Sequence, residues 1–472
     1  MSRFYSTLHI IWAFAVEKKM TPYIVSLFIL LWVTKTMIHE KQWKTDTYVI
    51  SSDVIWYYEY LPAIFIYHDY TLEFIDKYKG THKFTMDLKE LPNHKKVIKT
   101  SMGMSLLYAP FFFVGHGYAL LSNYDAGGYS QPYRIAIMLA SFFYLMLGLF
   151  YLSKLLLKYF DQYVSSWVIL LIVFGTNLYY YATYCTGFTH QYAFALIAMF
   201  LWYTIKWHES KKYKYSIILG ILIGLISLVR PTNILVLIFF VLWDIKSIHD
   251  IKKQLFIFFK EYKKLMIIIL CSVIIWVPQF LYWKAISGSF LCYSYVGERF
   301  FFDNPHVLKG LFSYRKGWLL YSPVMIFSVI GLVFLTKKTK EMSFAIYLFL
   351  LLFVYMIFSW WCWWYGGSFG LRAMIDIYAV WAIPMAAFFT WVYVQKKVIK
   401  SFFILISALL LLVGMHHTNK YLHGSIHYDS MTKESWMDSY FSVYPSESFY
   451  SKLRAPEAQR VHDGFEEHEP SK

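Results

Sequence analysis

The sequence predicts an all-α, polytopic transmembrane helix bundle of about eleven spans, with interfacial helices in a long first outer loop. Three observations carry this reading. Of 472 residues, 58% are hydrophobic and 22% aromatic while only 16% are charged, more apolar material than a globular soluble domain needs. Lys and Arg number 45 against 29 Asp and Glu, a formal charge of +16. The lysines stand in short runs between apolar stretches, which fixes orientation in a bilayer and argues against a nucleic-acid partner. Finally, apolar runs approaching span length recur from Pro22 to Met415.

Residues 1–20 are expected on the cytoplasmic side, because Arg3, Lys18 and Lys19 precede the first candidate span, Pro22 to Ile38. No small-residue cleavage pattern is present, so this span is read as retained. Residues 39–133 then form the first outer loop; long loops cross regardless of their lysines. Within it, Met102 to Leu121 has the hydropathy of a span. It contains Gly103, Pro110, His116 and Gly117, and Ser122 to Tyr133 after it lacks Lys and Arg. Laid in the outer interface, it leaves every later lysine cluster inside.

Ile135 to Leu152 enters toward Lys154 and Lys158, Val164 to Tyr181 returns, and Tyr192 to Ile205 enters toward Lys206, Lys211, Lys212 and Lys214. Lysines flank both ends of Tyr215 to Trp243, which therefore passes an even number of times. It reads as a helical hairpin with its apex at Arg230-Pro231-Thr232-Asn233, where proline ends one helix and starts the next. Leu265 to Trp283 exits to a second outer loop, Lys284 to Lys316, that carries Tyr293, Tyr295, Glu298, Arg299, Asp303, His306 and Arg315. Trp318 to Leu335 enters, Phe344 to Trp361 exits to a tight aromatic turn ending at Arg372, Ala373 to Val394 enters and Phe402 to Met415 exits. Residues 21–417 thus form the membrane domain, and 418–472 an outer polar tail mostly without apolar periodicity.

Candidate chemistry gathers on the outer face. Asp53 heads SSDVIWYYEYLP, Ser51 to Pro62, and on a helix Asp53, Tyr57 and Tyr60 share one side, a face able to address a sugar. Trp360, Trp361, Trp363 and Trp364 suit an interfacial belt first and a sugar platform second. Cys185, Cys271, Cys292 and Cys362 have no ligand spacing, and neither His190, His306 nor the pair His416-His417 has a second ligand at metal spacing. No nucleotide-binding glycine motif is present.

The order of these parts resembles the GT-C superfamily of membrane glycosyltransferases, which includes protein O-mannosyltransferases and the lipid A aminoarabinose transferase. Asp53 in SSDVIWYYEYLPA matches the family's acid at the head of the first outer loop. Ser105 to Gly115, SLLYAPFFFVG, is similar to a loop segment of the family without its leading proline pair. Gly370-Leu371-Arg372, followed by a helix containing Pro384, is similar to the late arginine element, with alanine in place of its tyrosine. The resemblance implies transfer of a sugar from a polyprenyl-phosphate donor to a lipid, glycan or protein acceptor at the outer face of the plasma membrane.

In that reading Asp53 is the general base for the acceptor hydroxyl. Arg372, with Arg230 or Arg315, meets the charge of the departing lipid phosphate in a fork-shaped contact. Tyr57, Tyr58, Glu59 and His306 complete the expected substrate-binding set. The first loop has no D-x-D pair, so the reaction is expected to need no metal or other cofactor. The two rival classes are a lipid-linked polysaccharide polymerase or ligase, which needs no early acid, and a transporter, which places its ionisable groups near the bilayer midplane.

Overall fold

The computed structural model describes residues 17–77 and 88–465, so most of the expected N-terminal segment lies outside the described residues. The chain is mostly helical. Among the described residues strands are confined to the antiparallel pair Lys89–Glu90 and Lys96–Val97. Among the described residues five helices are long and apolar enough to cross a membrane: Thr21–Lys44, Gln131–Tyr159, Tyr262–Ser287, Arg372–Tyr393 and Lys397–Leu422. Shorter apolar helices, including Gln162–Phe174, Tyr213–Val229 and Ser343–Phe358, pack among them.

The helix ends sort into two sets. At one end, Thr21 Oγ1 donates to Gln162 Oε1 at 3.1 Å, Lys158 and Lys206 both pair with Glu209, and Asp244 N donates to Glu341 O at 2.6 Å. Lysine clusters therefore collect at that end. At the other, Arg134 donates to the Trp43 carbonyl at 2.8 Å and pairs with Asp46, tying the first connection to the start of Gln131–Tyr159.

Helix Gly103–Leu120 packs at this second end. A Cβ on Gly103 would overlap the Leu228–Val229 backbone, while one on Gly115 would press on Pro132 and Ala136. Between these two contacts the helix packs along the first turns of Gln131–Tyr159, with the Phe111 ring 5.6 Å from that of Phe143.

The mid-chain hairpin forms with unequal arms. Tyr213–Val229 is a regular α-helix, but beyond Arg230 the chain continues as a 3-10 turn, Pro231–Val236, and a short helix, Leu237–Val241. It returns far enough for His208 Nε2 to lie 3.0 Å from the Phe240 carbonyl. Two expected helices are broken. Val164 to Tyr181 divides into Gln162–Phe174 and Leu178–Thr183, with a break at Gly175 where Gly414 packs backbone to backbone. Trp318 to Leu335 is interrupted at Pro323, which has no N–H for the helical ladder.

An element beyond the sequence expectations is Ile248–Lys260. This amphipathic helix opens with a capping box at Ser247 and leaves Ile251, Leu255, Phe256 and Phe259 exposed. The region expected as a polar tail, residues 418–472, has packed structure among its described residues. Lys397–Leu422 carries the helix past residue 418, and the chain then folds back, burying Trp436 and Phe449. Trp436 stands edge-on to Tyr321 at 5.1 Å. Single aromatic anchors, with no repeat between them, do this packing. The four cysteines are all free.

Gly331 sits where a Cβ would overlap the Pro384 carbonyl of a neighbouring helix, whereas Gly117 faces open space. Gly331→Ala is expected to be destabilising by about 1–3 kcal/mol, seen as a lowered thermal midpoint of the detergent-solubilised protein. Gly117→Ala is expected to leave that midpoint unchanged or slightly raised.

Candidate functional site

Ser52, at φ 50°, turns the chain sharply into the short helix Asp53–Tyr58. Asp53 occupies its first turn, where the backbone dipoles favour a carboxylate. Its Oδ2 accepts from Arg372 Nη1 at 2.6 Å. Arg372 comes from the late aromatic turn, opens the 3-10 segment Arg372–Ile377, and is steadied by its Nε donating to the Tyr365 carbonyl at 3.1 Å. The Phe188 ring lies 5.3 Å from its guanidinium.

One turn beyond Arg372 stands Asp376, fully buried. It receives Arg230 Nη1 at 3.2 Å and Asn233 Nδ2 at 3.0 Å, both from the hairpin apex, and lies 2.7 Å from His190 Nδ1. Arg230 also faces the Tyr365 ring at 5.1 Å. Tyr365 itself adopts φ 58°, a conformation that strains a bulky residue by about 1–3 kcal/mol. Its hydroxyl donates to Ile357 O and its N–H to Cys362 O, which hold it there.

A third cation, Lys99, pairs with Glu298, whose Oε2 also accepts from Trp361 Nε1 at 2.9 Å. The Lys99 ammonium stands 5.1 Å from the Tyr295 ring centre. Arg230, Glu298 and Asp53 all act electrostatically on the Tyr295 hydroxyl, and Asp53, Arg372 and Arg230 on that of Tyr57. Tyr57 and Tyr295 thus lie within electrostatic reach of the ion pairs.

The Asp53 side chain is 40% exposed while Arg372 is only 13% exposed, so the carboxylate is the open end of the pair and the guanidinium the recessed one. Burial pushes the Asp53 carboxyl up, but the Arg372 charge and hydrogen bond, with Lys99 beyond, bring it below the ordinary carboxylate value. Burial keeps the nearby thiols protonated, Cys185 at about 11 and Cys362 at about 12, which makes them poor nucleophiles. Among the described residues no three His, Cys, Asp or Glu side chains gather to hold a metal ion.

Of the sequence-predicted residues, the fold brings Asp53, Tyr57, Arg230 and Arg372 together. The others are placed elsewhere. Tyr58 is buried against Tyr108, Phe112 and Tyr129 and donates to the Gly128 carbonyl. Glu59, also buried, accepts from Tyr129 Oη at 2.7 Å. Tyr60 does not share the Asp53 face: the helix restarts at Tyr60, whose hydroxyl donates to the Thr100 carbonyl. Arg315 donates to the Asp429 carbonyl of the folded-back tail, and His306 lies 6.0 Å from the Trp363 ring.

Sequence reasoning missed Asp376, Asn233, Lys99 and Tyr365, gave Glu298 and Tyr295 no role, and weighed His190 only as a metal ligand. Asp376 carried a usable signal, since an acid inside an apolar run of span length needs a buried partner and marks function by default. Lys99 and Glu298 carried none, being two charges in long polar loops. No protein-family model and no curated protein matches this chain.

Burial raises the Glu59 carboxyl from 4.5 to about 7, the Tyr129 hydrogen bond opposing. Between those values the unfolded chain has released this proton and the folded one retains it, so stability falls as pH rises through the window. The thermal midpoint is expected to drop by several degrees between pH 5 and pH 8, and Glu59→Gln to flatten that slope.

Proposed function

We propose that this protein is a membrane glycosyltransferase that moves a sugar from a polyprenyl-phosphate donor to a hydroxyl acceptor. The observation that carries this reading is the Asp53–Arg372–Arg230 constellation, an accessible carboxylate beside two recessed guanidiniums at one end of an apolar helix bundle. The acceptor oxygen attacks the anomeric carbon as the bond to the phosphate oxygen breaks. Asp53 takes the acceptor proton, and the electron pair leaves with the lipid phosphate. Guanidinium groups held in a partly dehydrated wall need no reorganisation to receive that charge.

Asp53 cannot serve fully as a base while paired with Arg372. Entry of the donor phosphate at Arg372 releases the carboxylate, so donor binding and base activation are one event. The donor's lipid chain would lie along the apolar flank of the bundle, where Tyr262–Ser287 and Lys397–Leu422 bury only 17% and 11% of their most apolar windows. We read those flanks as facing lipid, and the five shorter apolar helices together with His190–Ser210 as further crossings, for eleven in total. The lysine-rich end is then cytoplasmic and the site lies on the outer face of the plasma membrane. The acceptor is a lipid, glycan or protein hydroxyl.

The test is release of lipid phosphate from a polyprenyl-phosphate sugar by purified protein in the presence of acceptor. Asp53→Asn is expected to express and to lower turnover by about 10² to 10⁴, with a lowered thermal midpoint because the recessed Arg372 loses its charge partner. Arg372→Lys is expected to lose at least tenfold, roughly one lost fork-shaped contact. Tyr58→Phe and Glu59→Gln are expected to retain most activity. Full turnover by Asp53→Asn would sink the assignment, and Asp53-dependent release would exclude a transporter.

A further inference from the structure

The site presents three cations, Arg372, Arg230 and Lys99, and each already has a carboxylate. The three carboxylates differ in freedom. Asp53 keeps 40% of its side chain exposed, whereas Asp376 is 0% and Glu298 9% exposed. Asp376 is fixed by Arg230, Asn233 and His190, three separate contacts from two other elements. Glu298 is fixed by Lys99 and by Trp361 Nε1, and its backbone carbonyl accepts from Tyr293 Oη at 2.7 Å. Neither can swing away to make room for a ligand; Asp53 can.

An incoming anion can therefore displace one carboxylate and no more. Arg230 and Lys99 remain neutralised by acids that stay in place, and the buried Lys316 nearby spends its donors on Ser368 and Tyr428, so the first charge on the ligand takes Arg372 in place of Asp53 and a second enters uncompensated. A glycosyl phosphodiester brings one negative charge, a glycosyl diphosphodiester two. Inside a recessed site the second charge meets far less screening than in water.

We propose that Glu298 and Asp376 are specificity-determining residues that hold Lys99 and Arg230 charge-neutral, and so select a lipid monophosphate-linked donor over a diphosphate-linked one. This rests on the glycosyl-transfer reading and adds to it which residues set the phosphate count. The residues that enforce the choice are not the ones that touch the reacting atoms.

The experiment measures binding of two sugar-free probes to the full-length protein in nanodiscs. One is didecyl phosphate, a monoanion; the other is didecyl diphosphate with one chain on each phosphorus, a dianion. Wild type is expected to prefer the monoanion. Glu298→Gln keeps an acceptor for Trp361 while leaving Lys99 uncompensated, and should shift the preference toward the dianion by about tenfold. Lys99→Gln removes positive charge from the same place and should shift it the other way. A wild-type preference for the dianion, or a ratio that neither variant moves, overturns the proposal. So does failure of wild type to bind either probe. The Asp53→Asn turnover measurement decides separately whether the transfer reading stands.

Discussion

The Asp53–Arg372 ion pair joins residues 319 positions apart, the head of the first long connection and the last aromatic turn. A guanidinium only 13% exposed needs an anion beside it, because an uncompensated charge at that depth costs about 3–5 kcal/mol. The same constraint acts on Arg230, which Asp376 compensates from the 3-10 segment that begins with Arg372. Two arginines therefore fix how three distant parts of the chain meet. The first connection, the hairpin apex and the late turn can close only in the arrangement that pairs them. Half of this device is sealed and half is open, and that asymmetry leaves Asp53 as the one carboxylate of the two that solvent can reach.

Behind the ion pairs stands a support of backbone geometry. Tyr365 at φ 58° and the glycines Gly366 at φ 65° and Gly370 at φ 57° bend the turn so that a carbonyl faces Arg372. Lys316 then locks the turn to the folded-back tail. Its buried ammonium donates to the Ser368 carbonyl, to Ser368 Oγ at 3.0 Å and to the Tyr428 carbonyl, one acceptor for each of its three donors. Burial lowers its proton affinity, and three oxygens at hydrogen-bond distance are what the chain offers in place of a carboxylate. Ser368 N adds a bond to the same Tyr428 carbonyl at 3.0 Å.

Much of this was legible in the sequence where a residue's chemistry conflicts with an apolar setting. Arg230 at a proline-marked apex, Asp53 at a loop head and Arg372 at a helix end all stand out from apolar runs, and all three meet in the fold. What failed was direction. Glu59 falls where one short helix hands over to the next, so the single-helix spacing used for Asp53 does not extend to Tyr60. Tyr58 and Glu59 turn inward toward Gly128 and Tyr129, a contact no local pattern encodes. His306 and Arg315 were expected to bind substrate from the second outer loop, but Arg315 is taken up by the Asp429 carbonyl of the folded-back tail and His306 lies near Trp363. The tail's packing depends on Trp436 and Phe449, two side chains whose isolation hides them from any periodicity.

The tail's place in the chain bears on how the protein is made. Residues that clamp the aromatic turn, Tyr428 and Asp429 among them, leave the ribosome after every membrane-length helix has been synthesised. A nascent chain stopped just before them would own all its apolar helices yet lack the clamp that steadies Arg372. Premature termination or trimming at that point would yield a chain that keeps every membrane-length helix while the turn carrying Arg372 goes unsteadied, so the last residues made decide whether that turn is set.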